Sequence, residues 1–145
     1  MNIRRFNGND YPAILEIYAN SKLDELRFEE NVFELLPLEN DEERLANLIE
    51  SDIYVCEDES VVGYGAVFGS EIRALFVCPK ARGNGIGKSL LEFLLSKIVG
   101  SATLYVAKSN APAKHLYFNY GFKVENEFQT KYNGISVFAN EMVRV

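Results

Sequence analysis

The segment Leu75-Phe76-Val77-Cys78-Pro79-Lys80-Ala81-Arg82-Gly83-Asn84-Gly85-Ile86-Gly87-Lys88-Ser89-Leu90-Leu91 limits the fold of this chain more than any other. Its apolar start reads as a strand. After Pro79 the apolar residues recur at helical spacing, at Ile86, Leu90, Leu91, Leu94 and Ile98. A strand therefore passes through a glycine-rich turn into a helix over about 84–98, with Gly100 as its stop. A glycine costs roughly 1 kcal/mol relative to alanine in a helix, so alternation at Gly83, Gly85 and Gly87 asks for a reason beyond a tight connection. Glycine lets the backbone approach an anion and aim several N–H groups at it, while the helix N-terminus adds roughly half a positive charge. Lys80, Arg82 and Lys88 concentrate positive charge here, in a chain of formal net charge -6.

Three phosphate-binding turns compete for this segment. A dinucleotide fingerprint, G-x-G-x-x-G, counted from Gly83 and Gly85 places Lys88 where its third glycine belongs. A P-loop matches at Gly87-Lys88-Ser89 but needs a glycine where Arg82 stands. The pattern Arg/Gln-x-x-Gly-x-Gly/Ala fits Arg82-Gly83-Asn84-Gly85-Ile86-Gly87 without adjustment.

The remaining chain alternates strands and helices with no linker or repeat. A short strand at 2–6 precedes a helix at about 10–22, capped by Asn9 or Asp10, with Pro12 in its first turn. Further helices are expected at about 26–36 and 41–50. β-Branched and aromatic runs at 53–56, 61–68 and 72–77 read as three neighbouring antiparallel strands, the first two joined across Glu57-Asp58-Glu59-Ser60. Ala102, Leu104 and Val106 alternate as another strand, and a helix follows over 110–120, capped by Ser109 or Asn110 and ended by Gly121. Two last strands at 122–131 and 135–143 meet at Asn133-Gly134, a strong hairpin signal. The expected fold is α/β: one domain over 1–145, with a mixed, mostly antiparallel sheet of about seven strands and helices on both faces.

Composition narrows the function. Hydrophobic residues make up 48% and charged residues 25%, and no apolar run approaches a membrane span, so a cytoplasmic protein without a membrane partner is expected. The acidic balance argues against nucleic acid as a partner, because phosphate neutralisation needs a basic surface. Cys56 and Cys78 sit in apolar, strand-like contexts without metal-ligand spacing; free buried thiols and no metal are expected.

About thirty residues beyond the glycine turn stands Ser109-Asn110-Ala111-Pro112-Ala113-Lys114-His115-Leu116-Tyr117-Phe118-Asn119-Tyr120-Gly121-Phe122. Together with the turn it resembles the GNAT acetyltransferase superfamily, whose pattern here is S-N-x-x-A-x-x-L-Y-x-x-x-G-F. The resemblance is specific over about 61–122 and looser toward both termini. It implies that the strands at 71–77 and 103–108 run parallel but splay apart, leaving a slot for the pantetheine arm of acetyl-CoA. It implies that the backbone from Arg82 or Gly83 through Asn84, Gly85, Ile86 and Gly87 to Lys88 binds the pyrophosphate. It further implies that Leu75, Phe76 and Val77 pair with the pantetheine amides, and that Asn110 caps its helix or reaches the arm.

The implied reaction is direct attack of a primary amine on the acetyl thioester through a tetrahedral intermediate. The amine would belong to a small molecule, a peptide N-terminus or a lysine. Tyr117 matches the family's general acid, though it would also suit a buried helix stripe with Ala113 and Leu116. Glu71 matches an acidic position some members use as base, but it would equally pair with Arg73 on the same strand face. Other members place a glutamate where this chain has Tyr105, so Tyr105 or a water chain is an alternative. His115 is expected to face solvent. The acidic stretch from Asp24 to Glu43, if it lines the slot, favours a cationic acceptor. A catalytically silent acyl-CoA sensor and a P-loop-like nucleotide binder are the rival functions. A monomer, or a homodimer through the terminal strands, is expected.

Overall fold

The computed structural model describes residues 1–145 and contains one seven-stranded sheet in the order β1-β2-β3-β4-β5-β7-β6. The strands are β1 (Asn2–Arg5), β2 (Asp52–Asp58), β3 (Ser60–Phe68), β4 (Glu71–Val77), β5 (Ala102–Ala107), β6 (Phe122–Tyr132) and β7 (Ile135–Arg144). The helices are α1 (Tyr11–Ser21), α2 (Glu42–Ile49), α3 (Ile86–Ser96) and α4 (Ala111–Asn119). All neighbouring strands are antiparallel except β4 and β5. The α/β class, the mixed sheet and the antiparallel β2-β3-β4 run are as expected.

Side chains alternate across the sheet and give each face its helices. Along β2, Ile53 and Val55 pack beneath α1 and α2 with Ile14, Ile17, Tyr18 and Leu48, while Tyr54 joins the opposite layer under α3 and α4. That second layer gathers Leu91, Leu94, Leu104, Phe122 and Met142. Asn133 and Gly134 both take positive φ, 49° and 80°, as a two-residue hairpin turn of the primed type requires.

The feature that positions the site is the parting of β4 from β5. Only Glu71 with Thr103 and Ile72 with Leu104 are paired; beyond them the β4 edge is open. The split coincides with a bulge, because Ala66 faces Ala74 and Val67 faces Ile72, leaving Arg73 without a partner on β3. Arg73 reaches the end of α2, donating to Asn47 O at 3.1 Å and pairing with Glu50. A cation there satisfies a helix C-terminus and ties α2 to the site of the split.

Several local expectations are corrected. The helix expected over 26–36 is absent: a short 3-10 turn spans Lys22–Leu26, and no helix follows it before Pro37. The backbone there bonds elsewhere. The Tyr132 hydroxyl accepts from Leu36 N–H at 2.8 Å, and Asn133 Nδ2 donates to Glu34 O at 3.1 Å. Leu26, Phe33 and Leu36 thereby pack on Tyr132 and Val137, a tertiary use that overrides helical spacing. At α1 the N-cap position is Asp10, one of the two residues expected, but its side chain makes no cap bond on that helix and is held by Arg4 at 2.8 Å; Asn7 caps the preceding 3-10 turn (Gly8–Asp10), its side chain accepting from Asn9 N–H. α3 ends at Ser96, earlier than Gly100. Asn110 makes no side-chain cap bond on α4, and Ser109 carries a buried hydroxyl without a partner.

Candidate active site

Gly83 and Gly85 take φ of 87° and 77°, the left-handed region in which a Cβ is strained. These two residues turn the chain from the end of β4 into α3. Ile86 anchors the turn: its side chain is 4% exposed and packs with Cys56 and Leu90. The first backbone bond of α3 runs from Ser89 N–H to Gly85 O, so the amides of Gly83, Asn84, Gly85, Ile86, Gly87 and Lys88 find no acceptor within the chain. The turn thus presents a row of free N–H groups at a helix N-terminus, the arrangement that suits a phosphate. Lys88 is exposed beside it. Arg82 is also exposed, but it donates to Val77 O at 3.2 Å and pairs with Asp24 at 2.6 Å.

The open edge of β4 leads from this turn into the fold. Cys78 N–H donates to Val62 O, so by antiparallel alternation the backbone groups of Leu75 and Val77 face the open side, whereas those of Phe76 face β3. Of the three residues expected to pair with an arm, Leu75 and Val77 have the free edge. Val77 O already accepts from the Ser21 hydroxyl at 3.3 Å and from Arg82. Leu75 and Phe76 lie on the wall of a cavity of about 440 Å³ between the parted strands.

Glu71, Tyr105, Asn110 and Tyr117 all line that cavity, so the structure brings the expected catalytic candidates together there, while the glycine turn stands apart, beyond its β4 end. Asn110 is 6% exposed on the cavity wall with no cap bond, which leaves its amide for whatever occupies the slot. Tyr117 packs edge-on to Phe122 at 5.9 Å, and burial pushes its phenol well above the usual tyrosine range, with the Glu25 carboxylate adding to the effect. A phenol held in its neutral form is a proton donor. Glu71 does meet Arg73, at 3.5 Å, but Arg73 is engaged more closely by Glu50. Tyr105 is half exposed; burial raises its phenol, then Glu141 and Glu71. His115 is exposed, as expected.

The other wall was not visible in the sequence. Tyr18, Lys22 and Glu25 from α1 and its following turn, Arg44 from α2, Tyr64 from β3 and Tyr132 from β6 complete the cavity. Of the acidic residues between Asp24 and Glu43, only Glu25 lines it. Asp24 pairs with Arg82, and Asp41 caps α2 and pairs with Arg44. Helical spacing of Ile14, Ile17 and Tyr18 was the one available signal, and it reads equally well as core.

The family model for the acetyltransferase (GNAT) domain matches residues 50–124. Peptidyl-lysine N-acetyltransferase YjaB of Salmonella typhimurium is 38% identical over 72 residues, 50% of this chain and 49% of that protein. The chain thus spans about half the length of this curated relative. Among solved structures, ribosomal-protein-alanine N-acetyltransferase from Brucella melitensis superposes with a TM-score of 0.74 at 25% identity, covering 100% of this chain and 99% of that one. The solution structure of apo YjaB from Escherichia coli gives 0.73 at 26% identity, over 99% and 97% of the two chains.

Proposed function

The chain belongs to the GNAT acetyltransferase family, and from that premise we propose that it transfers an acetyl group from acetyl-CoA to a primary amine by direct attack. One observation carries the reading: the free amides of Gly83–Lys88 stand at the end of an open strand edge that leads to the cavity holding Tyr117.

Acetyl-CoA supplies an acetyl group activated as a thioester. The chain supplies the rest. The amides of the turn, the α3 N-terminus and the charges of Arg82 and Lys88 hold the diphosphate. Backbone groups of Leu75 and Val77 orient the arm as an added strand would, with Asn110 as a side-chain partner. An N–H aimed at the developing oxyanion is worth about 3 kcal/mol of barrier, and the β4 edge offers such donors. Glu71 takes a proton from the ammonium form of the acceptor, which frees the lone pair for attack on the acetyl carbon. As the C–S bond breaks, Tyr117 Oη gives its proton to the sulfur, and the second proton, shed by the attacking nitrogen as the amide forms, restores the phenol. Glu25 faces the same space, so either carboxylate receives a cationic amine.

The acceptor class stays a primary amine of a small molecule, a peptide N-terminus or a lysine; the lysine and alanine named for the two relatives support an amine. No helix is long and apolar enough to cross a membrane. A cytoplasmic location, a single domain over 1–145 and action as a monomer or homodimer complete the proposal. The test is release of CoA thiol from acetyl-CoA in the presence of an amine library. Thiol release that depends on an amine and falls by one to several decades in Tyr117→Phe supports the reading. Coenzyme binding without turnover on any amine would leave a silent acyl-CoA module instead.

A further inference from the structure

Tyr18 lies on the cavity wall, 4% exposed, and its hydroxyl has no hydrogen-bond partner. A buried hydroxyl without a partner is unfavourable, and such a group on a cavity wall marks where a ligand atom would satisfy it. One cation, Lys22, stands over its ring, and a second, Arg44, stands over the Tyr132 ring that Lys22 also faces. Lys22 Nζ is 5.9 Å from the Tyr18 ring centre and 5.3 Å from that of Tyr132, and the Arg44 guanidinium is 5.1 Å from the same Tyr132 ring. Each cation has one carboxylate partner: Glu25 holds Lys22 at 2.7 Å, and Asp41 holds Arg44 at 2.9 Å. An ammonium has three N–H donors and a guanidinium five, so both keep donors for a further acceptor. The cavity wall as a whole carries Lys22, Arg44, Arg73 and Lys131 with Glu25 and Glu71, while Asp41 and Glu50 hold Arg44 and Arg73 from outside the wall, so the donors that face the space are mostly cationic.

We propose that this corner binds a carboxylate on the acceptor, so that the substrate is a free amino carboxylic acid. Arg44 and the Tyr18 hydroxyl donate to the carboxylate, and Lys22 adds positive charge. The acceptor's ammonium end then lies toward Glu71 and Tyr117, which line the same cavity. A carboxylate offers about four lone-pair sites to these donors, where a water offers two. A lysine or N-terminus within a longer chain brings no carboxylate to this depth. The inference rests on the acetyl-transfer reading and narrows its acceptor.

The test compares the twenty free L-amino acids with their carboxamides at saturating acetyl-CoA, reading thiol release. For the best acceptor the free acid is expected to exceed its carboxamide at least about tenfold in kcat/KM, because a charged partner lost from a buried site costs about that much. Arg44→Gln should bring the ratio close to one, and Tyr18→Phe, which removes a single oxygen, should reduce it by a smaller factor. A parallel calorimetric titration uses N-acetyl-L-alanine, N-acetyl-L-methionine and N-acetyl-L-glutamate with their carboxamides. Binding of any acid in preference to its amide supports the corner even if turnover is absent. Equal rates for acids and carboxamides, or no binding of any of the three acids at about 10 mM, a level where a 1 mM site would be nearly filled, overturns it. Binding of acetyl-CoA is titrated separately, so failure of the coenzyme reading shows independently of the acceptor result.

Discussion

Arg82 Nη1 lies 2.6 Å from Asp24 Oδ2, joining the phosphate-facing turn to the segment that carries Lys22 and Glu25 into the acceptor cavity. Both side chains are about two-fifths exposed, at 42% and 41%, so the pair contributes little to folding, on the order of 0–1 kcal/mol. Its consequence is for binding. Arg82→Gln should weaken acetyl-CoA by about tenfold and flatten the salt dependence of its Kd, while Asp24→Asn, which frees Arg82, should not weaken it. Calorimetry at low and high salt checks both.

Gly83 and Gly85 differ from Gly87 in a way that separates folding from binding. At the first two, no atom lies within 4 Å of an added Cβ, but positive φ strains any L side chain. Gly83→Ala or Gly85→Ala should cost about 1–2 kcal/mol of stability in urea titration. Gly87 lies in the first turn of α3, where an added Cβ would meet only Val77 Cγ2 at 3.9 Å. Gly87→Ala should therefore hold or raise stability, by up to about 1 kcal/mol. All three should weaken the coenzyme, because each Cβ crowds the backbone's approach to the diphosphate.

Burial raises the phenols of Tyr18, Tyr64 and Tyr117 above their ordinary value. Above about pH 10 the unfolded chain releases these protons while the folded chain keeps them, so stability falls as pH rises past 10. Below that value the contribution is fully present. The same shift keeps Tyr117 protonated as an acid, so the alkaline limb of kcat should lie above the usual tyrosine range and vanish in Tyr117→Phe. Chemical denaturation and a pH–rate profile above pH 8.5 read the two effects.

The glycine turn was legible because it is written locally, as glycines between a strand and a helix, whereas the parted strands and the place of Tyr117 came only through the resemblance that the two motifs carry. The order of elements was likewise written locally, through period and turn residues. What stayed hidden is what tertiary contact decides. Leu26, Phe33 and Leu36 repeat as a helix would, yet they serve the hairpin at Tyr132 instead. Tyr18, Lys22 and Arg44 look like a core tyrosine and two solvated cations until α1, α2 and β6 converge on one cavity. Whether the acidic run from Asp24 to Glu43 lines the slot was not written in its composition: only Glu25 does, while Asp24 and Asp41 are spent on arginines.

The seating of α3 over the sheet depends on Gly65. A Cβ there would stand 2.7 Å from Leu94 Cδ1, and Leu94 is fully buried, with 0% exposure and no room to swing out. Gly65→Ala should destabilise by about 1–3 kcal/mol. Leu94→Ala alone should cost about 2–5 kcal/mol, and the double variant less than the sum, since the new methyl enters the vacated space. A double-mutant cycle in denaturant measures the coupling.

The most direct measurement is an amide-resolved NMR titration with acetyl-CoA. Coenzyme binding at the glycine turn predicts saturable shifts that are largest at the N–H groups of Gly83 through Lys88 and at Leu75 and Val77 on the open strand edge. Saturable binding whose shifts bypass these amides, or no shifts at millimolar coenzyme, would contradict it.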